Sequence, residues 1–365
     1  MNKNHTVFLF LFTLIVHLAH GMENNSPKYL TSNAPGEYEK IIENPLYHFF
    51  YGSSYATTHK SLIEGLKKRE KDGAYVEFKS GIHTSNIFPT LKNITFDNNH
   101  HNKGLIACEK DPSLGSPGKN VIIETSANWT YNAYRNNERG FRIFDNKDLF
   151  LQALAAYHSK PQSEEEKTIS SITPQKFTLL SSKNIQLNQT EICRTETATK
   201  QASIKSNNCE IIKSSMNYSY PSSGQSLINF VKQGGTAHLI VNETALRGSK
   251  ELLTEMNQEG VKVHISKEMN HAKLFVRHIN GNYYSAIGTG NTTIEGDREI
   301  NTSLETTDPL LGKIIMQEQK EYIEKNTISL AQAEENEALK KTKKRKFNDA
   351  GKKTKTKTKK QKLKK

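Results

Sequence analysis

The sequence predicts an α/β fold made of two similar halves, each a mixed β-sheet flanked by helices. Two observations support this prediction. Amphipathic helical segments alternate with short apolar runs rich in Val, Ile and Phe, which is typical of strands packed against helices. The same order of segments also occurs twice along the chain, at a spacing of about 165 residues. A chain of 365 residues is long enough for two halves, each with its own core.

The basic charge of the chain is concentrated at its carboxyl end. The formal net charge is +13, from 51 Lys and Arg against 38 Asp and Glu. Fifteen of these basic residues and one acid lie in Lys340–Lys365, so the remaining 36 basic and 37 acidic residues nearly cancel. A segment so highly charged and so poor in apolar residues is expected to be disordered, and we assign 326–365 to a basic tail. Three roles remain open for this tail. It is a tether to an anionic surface, a solubilising end, or a nuclear address carried by KKTKKRK.

The composition and the first residues restrict the class of protein. With 35% hydrophobic and 24% charged residues, the chain is not a collagen, a coiled coil or a polytopic membrane protein. Lys3, the apolar run Val7–Val16 and the small-x-small site Ala19-His20-Gly21 are typical of a secretory signal peptide. We therefore predict a signal peptide at 1–21, a linker at 22–45, and a secreted or periplasmic protein.

The first half is assigned to residues 46–158. Its amphipathic helix begins at Ser61 and stops at Gly73, and a β-rich run follows. His101-Asn102-Lys103 then opens the apolar strand GLIAC. A second strand ends in Thr125-Ser126-Ala127-Asn128, a run of small polar residues that suits a turn with exposed backbone N–H groups. Glu138 and the helix KDLFLQALAAYH complete this half.

The second half, 210–325, repeats this order after a long connection at 159–209. The connection is rich in Ser, Thr, Gln and Lys, and we predict a single strand in it, at FTLL. The repeat then has a helix from Ser226, His271-Ala272-Lys273 before the strand LFV, and the turn Gly288-Thr289-Gly290-Asn291. Glu299 and the helix DPLLGKIIMQEQ follow, and an extra helix, SKELLTEMNQEG, precedes the strand VKVHI.

The polar residues of the repeat suit the chemistry of a phosphodiester. In an extended segment residues i and i+2 share a face, so the His and Lys of each H-x-K point the same way. Together the halves offer two imidazoles, two ammonium groups and two carboxamides. Lys and Asn can hold the non-bridging oxygens while one His attacks phosphorus and the other protonates the departing oxygen. This scheme needs no metal or other cofactor, and the sequence has neither CxxC nor HExxH.

This pattern resembles the phospholipase D superfamily, whose motif is HxK, four residues, Asp, and then a GSxN-like turn. The likeness covers roughly 46–158 and 210–325, and it implies two pseudo-symmetric halves with the active site at their interface. It implies that His101 and His271 are the nucleophile and the acid/base, with His101 favoured as the nucleophile. The phosphate clamp it implies is Lys103, Lys273, Asn128 and Asn291. The supporting residues it implies are Ser126 and Thr289, at the serine position, and Glu138 and Glu299, which hydrogen-bond a catalytic imidazole.

The chain departs from the family pattern at the Asp of the motif. Cys108 and His278 stand where the family has that residue, and Asp111 is the candidate substitute in the first half. Since the family's Asp supports the hairpin rather than attacking the substrate, its loss threatens geometry more than chemistry. A catalytically weak or inactive protein that binds phosphodiesters or other anions therefore stays open.

The resemblance implies a secreted phosphodiesterase that works through a covalent phosphohistidine. Phospholipid head groups are the favoured substrate, because phospholipase D is the activity that names the superfamily. A metal-independent nuclease of the same superfamily is the alternative, and the basic tail suits either a lipid surface or a nucleic acid. Because one chain carries both motifs, we predict a monomer.

Overall fold

A computed structural model describes residues 27–31, 34–82, 91–158, 177–181, 186–202, 209–293, 296, 298–299 and 301–342. The predicted signal peptide and residues 343–365 of the basic tail lie outside them. Helices flank two large mixed sheets, which confirms the predicted α/β class. Within the described ranges, no helix is both long and apolar enough to cross a lipid bilayer.

Fifteen strands are present in the described residues. In chain order they are β1 (Lys28–Leu30), β2 (Phe49–Ser54), β3 (Tyr75–Ser80), β4 (Asn93–Phe96), β5 (Gly104–Cys108), β6 (Asn120–Thr125), β7 (Gly140–Phe144), β8 (Phe177–Ser181), β9 (Cys209–Ser214), β10 (Thr236–Asn242), β11 (Lys262–Ser266), β12 (Leu274–Ile279), β13 (Asn282–Gly288), β14 (Thr302–Thr306) and β15 (Thr327–Ser329).

The helices lie mostly between these strands. They are α1 (Ala34–Glu43), α2 (Lys60–Lys71), α3 (Lys147–His158), α4 (Leu187–Ala202), α5 (Pro221–Lys232), α6 (Ala245–Gly248), α7 (Lys250–Gln258), α8 (Pro309–Asn326) and α9 (330–342), with short 3₁₀ turns at Pro112–Leu114 and Tyr131–Tyr134.

The chain forms two compact units, and they do not simply follow the order of the sequence. The first unit contains Met1–Leu187 together with Ala286–Gly290 and Glu295–Leu311. The second unit contains Asn188–Ser285, Asn291–Ile294 and Gly312–Lys365. Two short segments of the sequence's second half therefore belong to the first unit, and one of them includes β14.

The first unit is built on a seven-stranded sheet with the order β1-β7-β6-β5-β2-β3-β4. The β2, β3 and β4 strands run parallel, whereas β5, β6 and β7 form an antiparallel meander. In the same unit β14 pairs antiparallel with β8. This arrangement puts the start of β5, directly after Lys103, beside the end of β6, since Gly104 pairs with Glu124.

Trp129 lies at the centre of the first unit's core. Its fully buried ring stacks on Tyr38, with centroids 4.9 Å apart, and meets the edge of Phe78 at 5.0 Å. Its backbone N–H donates to Ser54 Oγ at 3.0 Å. The tryptophan therefore holds the residue before it, Asn128, against β2.

The second unit repeats the central strand arrangement of the first. Strands β9, β10 and β11 run parallel and β12 joins β9 antiparallel, so the order β12-β9-β10-β11 matches β5-β2-β3-β4. Helices α5 and α7 pack against β10 and β11. The repeat in the sequence is thus a repeat of strand topology.

The structure differs from the predicted elements in four places. Strand β1 and helix α1 lie in the segment predicted to be a linker, 22–45, because Tyr38, Ile41 and Ile42 of α1 are buried in the core of the first unit. Helix α4 lies in the segment predicted to be a connection with one strand. Its buried face gives little apolar periodicity, since Ile192 is followed there only by Thr195, Ala198 and Ala202. Helix α5 begins at Pro221 rather than Ser226, since proline is favoured in the first turn of a helix. Strand β15 and helix α9 lie in the segment predicted to be a basic tail and extend to residue 342. Leu330 and Ala333, at the start of α9, are buried.

A buried histidine pair in the second unit predicts loss of stability in acid. His238 Nδ1 lies 3.0 Å from His264 Nε2, and the two rings stack. Burial lowers the pKa of each imidazole to about 4, helped by the positive charge of Lys262. Glu210, 3.6 Å from His238, opposes this only weakly because Lys320 Nζ already pairs with it at 2.6 Å.

Because both folded-state pKa values lie below the unfolded value of about 6.5, the neutral pair stabilises the fold above that pH. We expect this contribution, on the order of 3 kcal/mol for each imidazole, to disappear as the pH falls from about 6.5 to 4. Urea unfolding at several pH values measures it, and a His238→Gln/His264→Gln variant should show a smaller loss over this window. An equal loss in both proteins contradicts the assignment.

Candidate functional site

His101 lies at the centre of a group of polar side chains in the first unit. Its Nδ1 is 2.9 Å from Asn301 Oδ1 and 3.5 Å from Glu299 Oε2, and its ring packs at 4.8 Å from the ring of Tyr55. Asn301 Nδ2 donates to Gly296 O at 2.8 Å, so Oδ1 faces the imidazole and accepts its Nδ1–H. This hydrogen bond leaves the lone pair on Nε2, which is the form that can attack phosphorus.

Lys103 is fully buried beside the same histidine. Its Nζ donates to the carbonyl of His101 at 2.6 Å, lies 3.5 Å from the carbonyl of Thr289, and is within 3.3 Å of both ring nitrogens. The residues His101-Asn102-Lys103 precede β5 rather than forming part of it. Even so, the first His and Lys lie together, as the i, i+2 spacing predicts.

The turn after β6 is fixed by its own hydroxyl and carboxylate. Ser126 Oγ donates to Glu138 Oε2 at 2.6 Å and accepts the backbone N–H of Arg139 at 2.9 Å. Asn128 lies at the end of this turn, where its Oδ1 accepts the N–H of Ala56 at 3.3 Å. Because Glu138 is fully buried, its hydrogen bond with Ser126 holds the turn against the interior of the unit.

The turn of the second repeat is fixed in the same way, but by an amide. Thr289 Oγ1 donates to Asn301 Oδ1 at 3.1 Å and accepts the backbone N–H of Thr302 at 3.0 Å. Asn301 therefore takes the position that the sequence comparison gave to Glu299. The equal spacing of twelve residues, Ser126 to Glu138 and Thr289 to Asn301, is the signal that identifies it.

The second unit holds the other HxK and its asparagine. Lys273 is buried and its Nζ donates to the carbonyl of His271 at 2.8 Å, which repeats the contact of Lys103 with His101. His271 is partly exposed. Asn291 Oδ1 is buried and has no hydrogen-bond partner among the described residues. The backbone around Asn291 is held by Thr292, whose N–H donates to Ser215 Oγ at 3.3 Å.

Comparison with solved structures identifies the fold. Polyphosphate kinase from Porphyromonas gingivalis matches with a TM-score of 0.61 and 13% identity, over 80% of this chain and 46% of the kinase. A mutant of the yeast tyrosyl-DNA phosphodiesterase matches with a TM-score of 0.50 and 10% identity, over 78% of this chain and 91% of that protein. The chain has the phospholipase D superfamily fold. It spans less than half the length of the kinase. No family model and no curated protein matches the sequence.

Cys108 and His278, which stand at the Asp position of the phospholipase D superfamily's motif, lie on strands β5 and β12 here. Cys108 ends β5, where burial raises the pKa of its thiol to about 12 and its Sγ contacts the carbonyl of Lys110 at 3.1 Å. His278, on β12, stacks on Tyr283 at 4.4 Å. Asp111 caps the 3₁₀ turn of the β5–β6 hairpin, where it accepts the N–H and hydroxyl of Ser113. Asp111 thus supports the hairpin, the role expected of the family's Asp.

Sequence reasoning missed several residues that support His101. Tyr55 precedes the first helix of the repeat as Tyr220 precedes the second, and only the structure shows that the ring of Tyr55 contacts the imidazole. Ser53 Oγ bonds His100 Nε2 and the carbonyl of Asn102, so it fixes the backbone on both sides of His101. Nothing in the local sequence marks Ser53, because the contact joins residues 47 positions apart.

Cys108, Cys193 and Cys209, all in the described residues, form no disulfide bond with one another. The part of the chain that the structure describes contains no group of three or more His, Cys, Asp or Glu side chains arranged to bind a metal ion.

Proposed function

We propose that the chain is a phosphodiesterase that uses its two histidines in a covalent, metal-independent reaction. The observation that carries this proposal is the duplicated HxK with a TSAN or GTGN turn, on the phospholipase D superfamily fold. The site in the first unit supports it, because Asn301 accepts the Nδ1–H of His101, so that the lone pair is on Nε2, and Lys103 supplies a positive charge beside the ring.

In the first step Nε2 of one histidine attacks phosphorus and forms an N–P bond, while the bond to the leaving oxygen breaks. The second histidine, as imidazolium, gives that oxygen a proton. In the second step the now neutral second histidine takes a proton from water, whose oxygen displaces the first histidine from phosphorus. Lys103, Lys273, Asn128 and Asn291 stabilise the charge on the non-bridging oxygens. We assign the attack to His101.

The proposal is tested with the purified protein and a soluble diester, bis(p-nitrophenyl) phosphate, in the presence of EDTA. We expect turnover that EDTA does not reduce, and a phosphorylated histidine in the protein after an alkaline quench, detected by mass spectrometry. A protein that binds the diester but releases no nitrophenol contradicts the proposal and supports the inactive, anion-binding alternative.

Phospholipid head groups are the first substrate class that we propose. The predicted export and the Lys-rich tail support it, because a secreted protein with a cationic segment can remain at an anionic lipid surface. Phosphatidylcholine vesicles containing anionic lipid provide the assay, and release of choline is the expected result.

A nuclease is the second candidate, and a group of exposed rings favours it. Tyr131 and Tyr134 follow the Asn128 turn and are 55% and 40% exposed. His59 stacks on Tyr131 at 4.4 Å and lies 5.5 Å from Tyr134. Exposed aromatic faces beside a phosphate site are typical of proteins that stack the bases of single-stranded nucleic acid.

If the nuclease proposal is correct, a Tyr131→Ser/Tyr134→Ser variant should bind single-stranded DNA more weakly. Loss of two stacking rings, each contributing about 1–3 kcal/mol, predicts at least a tenfold rise in KM. The rate on bis(p-nitrophenyl) phosphate should not change, because a small diester does not reach these rings. Equal KM values for the variant and the native protein on DNA contradict a role for the rings in base binding.

A further inference from the structure

Glu124 is a fully buried carboxyl group that the mechanism above does not use. It lies near the end of β6, where Oε1 accepts the hydroxyl of Thr302 and Oε2 accepts the hydroxyl of Tyr157. Matching Ser126 with Thr289 places Ile287 at the equivalent point of the second repeat. An apolar residue is therefore compatible with a strand at this position, so the strand itself does not require the carboxylate of Glu124.

The backbone is shaped to admit this contact. Gly104 lies opposite Glu124 in the β5–β6 ladder, directly after Lys103. A Cβ atom at Gly104 would lie 2.3 Å from the Tyr157 hydroxyl and 2.5 Å from the carbonyl of Ile123. Only glycine leaves room for the Tyr157 hydroxyl to reach Glu124.

A series of hydrogen bonds links Glu124 to His101. Thr302, bound through its hydroxyl to Glu124, donates its backbone N–H to Thr289 Oγ1 at 3.0 Å. Thr289 Oγ1 donates to Asn301 Oδ1 at 3.1 Å, and Asn301 Oδ1 lies 2.9 Å from His101 Nδ1. The carboxylate therefore fixes the beginning of β14, and with it the amide that orients the imidazole.

The charge of Glu124 also interacts electrostatically with the buried ammonium of Lys103. Burial raises the pKa of this carboxyl to about 7, while the hydroxyls of Thr302 and Tyr157 and the positive charge of Lys103 oppose the rise. Tyr38, whose hydroxyl bonds Thr125 Oγ1 at 2.8 Å, is the other ionisable side chain that Glu124 acts on. An ionised Glu124 offsets part of the cost of burying Lys103.

We propose that Glu124 is a positioning residue that orients His101 through Thr302 and Asn301 and compensates the charge of Lys103. This inference rests on the proposed function, in which those two residues act on the phosphodiester. A group acting through other residues should change kcat much more than KM, because it holds the reacting groups rather than the substrate.

The test compares Glu124→Gln with the native protein. We expect kcat on bis(p-nitrophenyl) phosphate to fall about 10–100-fold, the usual effect of removing a supporting hydrogen-bond partner, with KM unchanged. A second readout does not depend on activity: in ¹⁵N spectra of the ring, the Nδ1–H form of His101 should lose population in the variant.

A matched control separates positioning from general stability. Glu37 is equally buried and pairs with Arg142, so Glu37→Gln should lower the melting temperature without changing kcat or the His101 spectrum. If Glu124→Gln unfolds, Thr302→Val tests the same link and should reproduce the kcat loss, while Thr302→Ser, which keeps the hydroxyl, should restore it. Native kcat and a native His101 spectrum in folded Glu124→Gln or Thr302→Val overturn the inference.

The two proposals fail in different ways. If His101→Ala keeps its turnover, the proposed function is wrong, whatever the spectra of the Glu124 variants show. If His101→Ala is inactive but Glu124→Gln keeps native kcat and spectrum, only the positioning role is wrong.

Discussion

Replacing either His101 or His271 with alanine is expected to abolish turnover of any diester substrate. One imidazole forms the covalent bond and the other transfers the proton, so neither can replace the other. The expected loss in kcat is about 10²–10⁴-fold for each variant, measured on bis(p-nitrophenyl) phosphate.

The appropriate control is His48→Ala, because His48 is exposed and is not one of the proposed site residues. Circular dichroism and thermal unfolding establish that each variant is folded. Retention of more than about a tenth of the native activity in either variant contradicts the two-histidine mechanism.

Replacing Trp129 with alanine should have the largest effect on stability. The ring is fully buried between Tyr38 and Phe78, so its removal leaves a cavity that a close-packed core cannot fill. We expect the free energy of unfolding to fall by about 3–5 kcal/mol, measured by urea denaturation.

Trp129→Phe provides the comparison, since a smaller ring retains part of the stacking on Tyr38. Its loss should be clearly smaller than that of the alanine variant. Similar stabilities for the native protein and Trp129→Ala would show that the packing of Asn128 against β2 does not depend on this ring.

The sequence was most informative where it repeats. Tyr55 and Tyr220 mark equivalent points before the two helices, and two HxK segments with TSAN and GTGN turns are too specific to arise by chance. These features led to the α/β class and the superfamily fold, both of which are confirmed. Helix α3 and strand β8 were also predicted, because their apolar residues have clear helical or strand periodicity.

The sequence was least informative where burial does not follow hydrophobicity. Helix α4 buries Thr195 and Ala198, residues that give no strong apolar period. Asn301 was missed because an acid was expected at its position, and Glu299 is the nearby carboxylate. The role of Glu124 depends on a contact with Thr302, which is 178 positions away in the sequence. Local patterns carry no information about such pairs.

The division of the chain into units has a consequence for any attempt to express one repeat by itself. Strand β14 and Thr289 are encoded in the second repeat but belong to the first unit. A fragment ending before residue 209 would contain His101 without Asn301, and β8 would be left with an unpaired edge open to aggregation. The first repeat alone therefore lacks the amide that contacts its histidine and the strand that pairs with β8, so it depends on segments from the second repeat.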